Sequence, residues 1–343
     1  MKILLSVDPE IPVPPLLYGG IERVVDSLVE ELRAMGHQVG MSAHPDSTSQ
    51  VNVLFPWPGA SSASKADSLR NAVTLWKAVK QFKPDVLHSF SRIAYMAPLL
   101  TSHLPKIMSY QREPSARTTK WGHRLSKGTL RFTGCSEHVA ATGRKSGGCW
   151  RAIPNFISPA KFTFVPQVLP DAPLVFLSRL EPIKGCHTAI AIAQRSGRRL
   201  LVAGNRVESG SAAGYWDREI APHLGKDGIE YVGTVNDEQK NALLGSAAAM
   251  VVPIEWEEPF GIVFAEALAC GTPVISCPRG ALPEIVHDSV HGFHVRTVDE
   301  GLQAVRRLNE ISRAECRRHV EAHFTVQVVA NEYLALYKAM LGR

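Results

Sequence analysis

Two glutamates eight residues apart are the residues of this chain best placed to do chemistry, and they bracket the segment Glu258-Pro-Phe-Gly-Ile-Val-Phe-Ala-Glu266. Proline suits the first turn of a helix, because its missing N–H has no partner there in any case. We therefore predict a helix over residues 259–270, with Pro259 in its first turn and Glu258 at its N-terminal end. The rise of such a helix separates the two carboxylates by about 12 Å along its axis.

The start of this predicted helix can bind an anion, because the first backbone N–H groups of a helix have no intrahelical partner. Phe260, Gly261 and Ile262 supply these groups, and Gly261 lets a ligand approach the backbone closely. A carboxylate at each end can accept hydrogen bonds from vicinal hydroxyls, and the span resembles that from a donor sugar to its nucleoside ribose. The alternative is an ordinary helix with two surface acids. Because the predicted helix has apolar residues on nearly all sides, a solvated surface position does not explain the acid at 266 well.

Two cations stand in the segment Leu-Ser-Arg179-Leu-Glu-Pro-Ile-Lys184-Gly185. Arg179 is predicted to end a strand and Lys184 to open the following helix, which places both at the carboxyl rim of a sheet. Fixed cations there can neutralise a diphosphate in the ground state and as it departs. The chain contains no Asp-x-Asp sequence, so a metal clamp on the diphosphate is not expected.

Two glycines precede the first predicted helix, in the segment Tyr18-Gly19-Gly20. Backbone without side chains at a helix N-terminus can approach phosphate oxygens, although a plain tight turn explains the pair equally well. Gly204 and Gly233 stand in similar positions after two later predicted strands. No G-x-G-x-x-G pattern occurs in the chain, which argues against a dinucleotide-binding enzyme.

Alternating strands and helices must position these residues. We predict strands over 2–7, 39–43, 84–90, 107–110 and 132–135, and again over 174–180, 199–203, 230–232, 250–253 and 273–276. Helices lie between them, and the last helix covers 328–340. Such alternation predicts parallel sheets with helices on both faces, whose ligands bind beyond the carboxyl ends of the strands.

A proline-rich stretch over 150–172 divides this series into two. For 343 residues, at roughly 150 residues per domain, we predict an α/β protein of two tandem doubly wound domains facing a cleft. The first comprises residues 1–160 and the second residues 170–326.

Composition restricts the partners and the compartment. The net charge of +6 suits phosphate-rich partners or simply keeps the protein soluble. The six cysteines form no C-x-x-C pair, which predicts free thiols in a reducing compartment and no zinc site. The N-terminus is unlike a signal peptide, and no apolar run approaches about 18 residues. We expect a cytoplasmic protein.

A basic stripe recurs at spacings of 3, 4, 3 and 4, which places it on one face of a helix over 116–131: Arg117, Lys120, Arg124, Lys127 and Arg131. Trp121 and Leu125 form a small apolar pair beside it. The stripe can dock on the anionic inner face of a membrane or on a phosphorylated acceptor, or it is a solvated basic face. No nucleic-acid partner is expected, because no matching fold or aromatic platform is present.

The second half of the chain resembles the C-terminal domain of the family-4 retaining glycosyltransferases with the GT-B fold. The matching stretches are Ser178-Arg179-Leu180 with Lys184-Gly185, Leu201-Val202-Ala203-Gly204, Tyr231-Val232-Gly233-Thr234-Val235, Glu258 to Glu266, Ala269-Cys-Gly-Thr-Pro-Val-Ile and Gly280-Ala-Leu-Pro-Glu284-Ile-Val. The first half is more loosely similar, through Tyr18-Gly19-Gly20-Ile-Glu-Arg-Val-Val, Met35-Gly36-His37-Gln-Val39, Pro84-Asp85-Val86-Leu87-His88, Ser136-Glu137 and Ile153-Pro154-Asn155.

The resemblance implies two Rossmann-like domains, with the final helix, at about 327–343, crossing back to an N-terminal domain that binds the acceptor. It implies transfer of a sugar, with retention, from a nucleotide diphosphate sugar such as a UDP-sugar to a hydroxyl acceptor, without metal or further cofactor. Arg179 and Lys184 are then expected to hold the diphosphate, Glu258 the transferred sugar and Glu266 the ribose. The remaining donor-binding positions implied are Gly19 and Gly20 from the opposing domain, Gly204, Val232, Pro259 and the amides of Phe260, Gly261, Ile262 and Val263.

Two positions depart from the family's pattern. His88-Ser89-Phe90 lacks the second histidine of a frequent His-x-His, and Gln111 stands where a histidine often follows the next strand. His88 is a candidate catalytic residue if it faces the cleft, or else a strand histidine packed in the sheet. These departures leave room for an inactive nucleotide-sugar-binding protein. A nucleotide-sugar epimerase on a similar fold is a second alternative.

Overall fold

The computed structural model describes residues 1–16, 19–207 and 209–342, apart from the side chain of Ser211. The strands within these ranges are β1 Lys2–Ser6, β2 Gln38–Ala43, β3 Val53–Pro56, β4 Val86–Ser89, β5 Lys106–Tyr110, β6 Leu130–Gly134, β7 Trp150–Ala152, β8 Leu174–Leu177, β9 Leu200–Ala203, β10 Ile229–Gly233, β11 Ala249–Val252, β12 Val274–Ser276 and β13 Gly292–His294.

The α-helices within these ranges are α1 Gly20–Ala34, α2 Lys65–Phe82, α3 Ala116–Ser126, α4 Glu137–Arg144, α5 Cys186–Ser196, α6 Asp237–Ser246, α7 Ile262–Ala269, α8 Leu282–Ile285, α9 Val298–Arg306, α10 Arg313–His323 and α11 Val326–Met340. Short polar side chains fix several of the N-termini. Ser64, Asn236 and Thr297 each accept a hydrogen bond from a backbone N–H in the first turn of the helix that follows, which satisfies a donor that the helix itself cannot.

The first compact unit contains residues Met1–Phe156 and Val326–Arg343. Its sheet has the strand order β3-β2-β1-β4-β5-β6-β7, with every pair parallel. The last helix, α11, belongs to this unit, and its Tyr337 side chain is completely buried. The expectation that the final helix returns to the N-terminal part of the chain is therefore confirmed.

The second compact unit contains Ile157–Thr325. Its sheet has the order β10-β9-β8-β11-β12-β13, again entirely parallel. Strands β8 and β11 are buried throughout, as expected for parallel strands covered by helices on both faces. The predicted pair of Rossmann-like doubly wound α/β domains is confirmed.

In each sheet the strand order reverses at one place, and ligands of such sheets bind beyond the carboxyl ends of the strands at that place. The reversal lies between β1 and β4 in the first unit and between β8 and β11 in the second. The segments that follow these four strands are therefore where functional residues are expected.

The predicted basic helix over 116–131 is wrong in its C-terminal part. Helix α3 ends at Ser126, and Lys127 and Gly128 both adopt positive φ angles of 48° and 89°. Arg131 lies in β6, where its guanidinium donates to the carbonyl of Gly128. The turn separates Lys127 and Arg131 from the helix face, which retains Arg117, Lys120 and Arg124, all exposed.

Trp121 and Leu125 are also exposed on α3, at 58% and 41%. Among the described residues, no helix combines the length and apolar character that crossing a bilayer requires.

Candidate functional site

Lys184 and Glu258 meet where the order of the second sheet reverses. Lys184 follows β8 and Glu258 follows β11, and the Lys184 Nζ donates to Glu258 Oε2 at 2.8 Å. Their side chains are only 10% and 11% exposed. The indole N–H of Trp256 donates to the same carboxylate oxygen at 2.9 Å, and the Lys184 ammonium lies 4.4 Å from the centre of the Trp256 ring. Two residues predicted separately from the sequence thus form one buried, charged cluster.

Close backbone contacts position this cluster. Gly185 has a φ of 74°, and a Cβ atom there would lie 2.1 Å from the carbonyl oxygen of Pro253. Gly280 has a φ of 60°, and a Cβ atom there would lie 2.2 Å from the carbonyl oxygen of Glu258. That same carbonyl accepts a hydrogen bond from the N–H of Ala281 at 2.8 Å. Glycine is required at both positions, and the backbone at Glu258 is held against residues 280–281.

The predicted helix over 259–270 begins three residues late, at Ile262, so Pro259 and Phe260 lie outside it. Gly261 adopts a φ of 84°, and a Cβ atom there would lie 2.5 Å from the Phe264 ring. This turn redirects the chain before α7 starts, and the single 12 Å helical spacing predicted between Glu258 and Glu266 is therefore wrong. The N-cap residue of α7 is Gly261, which has no side chain to cap the helix, so the amides of Ile262 and Val263 remain candidates for holding an anion.

Glu266 has a partner within the second unit. Its Oε1 lies 2.7 Å from the Nζ of Lys240 on α6, and its side chain is 13% exposed. The ion pair joins α6 to α7. It explains why an acid lies on this apolar helix, and no bound ligand is needed for that explanation. The role of Glu266 in binding a ribose stays a prediction.

Arg179 lies just beyond β8 with its side chain half exposed, and its Nη1 forms an ion pair with Glu181 at 2.9 Å. Gly204 follows β9, and a Cβ atom there would lie 1.8 Å from the carbonyl oxygen of Ser178. Glycine at 204 therefore lets the ends of β8 and β9 come together beside Arg179. Val232 lies in β10 and is 43% exposed.

Gly19 and Gly20 form the N-terminus of α1, while Tyr18 lies outside the described residues. A Cβ atom at Gly19 would lie 2.8 Å from the Glu22 carboxylate. Glu22 is buried in the first turn of the helix, and burial raises its pKa. A phosphate at this N-terminus has to displace that carboxylate. Binding of an anion by Gly19 and Gly20 stays a prediction.

His88 is packed in the sheet, as one of the two expectations held. It is completely buried, its Nδ1 lies 2.6 Å from the Tyr337 hydroxyl and its Nε2 lies 2.6 Å from Ser109 Oγ. Phe90 and Tyr333 lie against its ring, at 4.3 and 4.7 Å between centroids. Burial lowers the pKa of His88 to about 3. Both nitrogens are in use, and the bond to Tyr337 attaches α11 to the sheet; a catalytic role for His88 stays an untested prediction.

The first unit carries a polar cluster that the sequence analysis missed. Asp8 follows β1, Arg92 follows β4 and Gln111 follows β5, which are adjacent strands at the reversal of the first sheet. The Oδ1 of Asp8, the Nε of Arg92 and the Oε1 of Gln111 are buried and have no hydrogen-bond partner among the described residues. Buried polar groups are normally paired, so unpaired groups that follow three adjacent strands make this sheet edge a candidate site for a polar ligand. Two signals were available: Asp8 comes soon after the first strand, and Gln111 stands where a histidine is frequent in the family.

Asp8 is held mainly in its protonated form near pH 5. Burial, and secondarily the nearby Glu10, raise its pKa to about 6, against the opposing effect of Arg112 and Arg92. When folding raises the pKa of a carboxyl, the group stabilises the folded state most below its unfolded pKa of about 4. This stabilisation is lost as the pH rises through the folded pKa of about 6.

The Asp8→Asn variant is therefore expected to be more stable than the wild type at pH 7, by up to about 3 kcal/mol, and equally stable near pH 4. Urea unfolding at both pH values measures this, with Asp171→Asn, an exposed acid in the other unit, as the control that should change nothing. A variant that is less stable at pH 7 would show that the charged form of Asp8 is favoured by its arginine neighbours.

Two family models match the chain side by side. The model described as Glycosyl transferases group 1 matches residues 165–321, and the model described as Glycosyltransferase Family 4 matches residues 18–161. The glycogen synthase of Mycobacterium tuberculosis (strain CDC 1551 / Oshkosh) is 26% identical over 392 residues, covering 95% of this chain and 92% of that protein.

Solved structures are similar along the whole chain. AviGT4, a glycosyltransferase involved in avilamycin A biosynthesis, has a TM-score of 0.75 at 26% identity, covering 100% of this chain and 98% of that one. The Anabaena protein HepE, solved in complex with UDP and glucose, has a TM-score of 0.74 at 17% identity, covering 99% of this chain and 100% of that one. The likeness to HepE shows a common fold alone.

Proposed function

Because this chain belongs to the family-4 glycosyltransferases with the GT-B fold, we propose that it transfers a sugar, with retention, from a nucleotide diphosphate sugar to a hydroxyl acceptor. One observation carries the proposal: the buried pair of Lys184 and Glu258 at the strand-order reversal of the second sheet. A cation and a hydrogen-bond acceptor fixed together there suit a ligand that joins an anionic diphosphate to a polyhydroxyl sugar.

The positive charges of Lys184 and Arg179 support the binding of a diphosphate at this place. Lys184 is preorganised by Trp256 and by Glu258. Arg179, which also follows β8, is exposed and can leave Glu181 for a phosphate oxygen. Preorganised cations stabilise charge that develops on a leaving group and require no reorganisation as it forms. We propose that these two cations take the place of a metal ion on the departing diphosphate.

The contacts of Glu258 support an orienting role. Both Lys184 and Trp256 donate to its Oε2, which fixes the carboxylate and lowers its nucleophilicity. A carboxylate held in this way is suited to accept hydrogen bonds from sugar hydroxyls. Retention by attack of the acceptor on the face from which the nucleotide leaves, without an enzyme nucleophile, agrees with this arrangement and is the mechanism that the family resemblance implies.

We place the acceptor on the first unit, at the edge formed by Asp8, Arg92 and Gln111. Their unpaired buried atoms include both acceptors and a donor, which suits a ligand with several hydroxyl groups. Gln111 stands where a histidine is frequent in the family, so this chain is expected to select its own acceptor.

A thermal-shift panel of UDP, GDP, ADP and dTDP tests the donor proposal. The preferred nucleotide should raise the melting temperature, by an amount that grows with its concentration relative to the Kd. UDP is the first candidate, because HepE, a protein of the same fold, was solved with UDP. The shift should persist in EDTA. A shift that EDTA abolishes and Mg²⁺ restores would contradict metal-free binding, and no shift with any of the four would contradict the donor site.

Replacing Glu266 separates its two roles. If Glu266 binds the ribose, Glu266→Ala should weaken nucleotide binding by about 10-fold, the cost of one hydrogen bond to a charged group. Lys240→Met breaks the same ion pair but leaves the carboxylate, and should weaken binding far less. Isothermal titration with the preferred nucleotide measures both variants. Equal weakening by the two would show that the ion pair acts only by holding α6 to α7.

We also propose a cytoplasmic location with peripheral contact to an anionic membrane through α3. Arg117, Lys120 and Arg124 surround the exposed Trp121, and basic residues near such a surface contribute about 1 kcal/mol each. Exchange of the three for glutamate should abolish sedimentation with phosphatidylserine liposomes, which in the wild type should weaken as salt rises. Equal sedimentation of the wild type with neutral liposomes would contradict the proposal.

A further inference from the structure

Four histidines gather in the second unit, outside the Lys184–Glu258 cluster. His287 and His291 lie between α8 and β13, and His319 and His323 lie one turn apart on α10. His291 and His319 are stacked, with ring centroids 3.9 Å apart, and the ring centroids of His287 and His319 are 4.8 Å apart. None of these residues takes part in the proposed sugar transfer.

Three of these side chains converge closely enough to bind one ion. His287, His291 and His319 each offer a ring nitrogen, and these atoms all lie within 4.8 Å of one another. Nitrogens that share a tetrahedral zinc ion stand about 3.3 Å apart, since each Zn–N bond is about 2 Å long. Binding one ion requires an approach of about 1.5 Å at most and a rotation of the stacked His291 and His319 rings. His287, which is exposed and lies in a connecting segment, is free to move towards them.

The protonation of the two buried rings suits metal binding. Burial, reinforced by the neighbouring imidazoles, lowers the pKa of His319 to about 3 and contributes most to lowering that of His291 to about 4. Neutral imidazole is the form that binds a metal.

Hydrogen bonding orients His319 as a ligand. Its Nε2 lies 3.1 Å from the carbonyl oxygen of Ile285, which can only accept, so Nε2 carries the proton and Nδ1 keeps its lone pair. A metal-binding histidine typically donates its other ring N–H to a carbonyl or a carboxylate in this way. The Nδ1 of His291 accepts a longer bond, of 3.2 Å, from the backbone N–H of His287, and binding of an ion by this nitrogen replaces that bond.

We propose that His287, His291 and His319 bind one divalent transition-metal ion of the zinc type, which links the segment before β13 to α10. Imidazole nitrogens favour zinc, copper and nickel over magnesium and calcium, which prefer oxygen. The fourth position falls to water or to His323, whose ring lies 5.0 Å from that of His319. The ion acts as a structural link, distinct from donor binding.

Titration of untagged, EDTA-stripped protein with Zn²⁺ tests the proposal, with Co²⁺ absorption as a probe of coordination. We expect one ion per chain, a rise in melting temperature, and the intense visible bands of tetrahedral Co²⁺. His287→Ala should fold normally because its side chain is exposed, and should bind at least about 10–100-fold more weakly, the loss typical of groups that merely support a ligand. His319→Gln should behave alike, whereas His103→Ala, an exposed histidine of the first unit, should bind as the wild type does.

Two results would overturn the site. One is Zn²⁺ binding by His287→Ala with unchanged affinity, and the other is a wild-type protein that shows neither Zn²⁺-dependent stabilisation nor tetrahedral Co²⁺ bands. Both readouts are independent of sugar transfer, so they distinguish failure of the metal site from failure of the proposed function.

Discussion

Glu258→Gln is expected to lower turnover by about 100-fold, the loss typical when reacting groups are displaced by a small distance, with little change in nucleotide affinity. The substitution keeps the shape of the side chain but removes the negative charge that holds the Lys184 ammonium at 2.8 Å. The ammonium keeps its contact with the Trp256 ring, 4.4 Å from the ring centre, so the diphosphate contact is retained, whereas the sugar loses a charged acceptor for its hydroxyls. Steady-state rates of nucleotide release, together with nucleotide titration, measure the two effects.

Glu230→Gln is the matched control, because Glu230 is an exposed acid on β10 of the same unit. It should retain wild-type turnover. A Glu258→Gln variant with wild-type turnover would remove Glu258 from the site, and a loss confined to nucleotide affinity would assign it to the nucleotide instead of the sugar.

Lys184→Met is expected to lower the free energy of unfolding by about 3–5 kcal/mol, because it leaves the buried Glu258 carboxylate without its counter-charge. The double variant Lys184→Met/Glu258→Gln removes both charges and should recover most of that stability while remaining inactive. Well-packed apolar replacements of a buried ion pair are often neutral or stabilising, so the double variant separates the electrostatic cost from loss of the fold. Urea unfolding of the two single variants and the double variant gives the coupling energy.

The exposed pair of Arg195 and Asp299, with 53% and 77% of the side chains accessible and a 2.6 Å separation, provides the comparison. Arg195→Met should cost no more than about 1 kcal/mol. Similar losses for Lys184→Met and Arg195→Met, or a double variant no more stable than the worse single one, would contradict a buried, coupled pair.

The placement of Lys184 and Glu258 was predictable from the sequence because it depends on local patterns. Apolar runs alternating with helical stripes predict parallel strands, and residues that follow such strands share one rim. The resemblance to the family specified the same positions. The alternating pattern and the family resemblance say little about the order of the strands in the sheet. The contact between Lys184 and Glu258 at the reversal between β8 and β11 was therefore found only in the structure.

The start of α7 was not predictable in the same way. Proline at 259 favours a helix start, but Gly261 turns the chain through a positive φ, and the Phe264 ring occupies the space that a side chain at 261 would need. That contact is set by the core of the folded unit. The basic stripe failed similarly, since its spacing of 3 and 4 continues past Ser126 although the left-handed turn at Lys127 ends the helix.

Asp8 and His88 show a third limit. The sequence around each residue does not predict what surrounds it in the fold. The raised pKa of Asp8 depends on burial and on Glu10, Arg92 and Arg112. The burial of His88 depends on Tyr337, which is 249 positions away. Contacts between distant segments decide both, and a single sequence does not contain them.

Release of free nucleotide from a panel of nucleotide sugars, with and without hydroxyl acceptors, tests whether the Lys184–Glu258 cluster acts on a nucleotide sugar. We expect slow release without acceptor, faster release with the correct one, and loss of both in Glu258→Gln. Binding of a nucleotide sugar without release under any condition would identify an inactive binding protein. Isomerisation of the sugar without release would identify an epimerase, and either result would contradict the account.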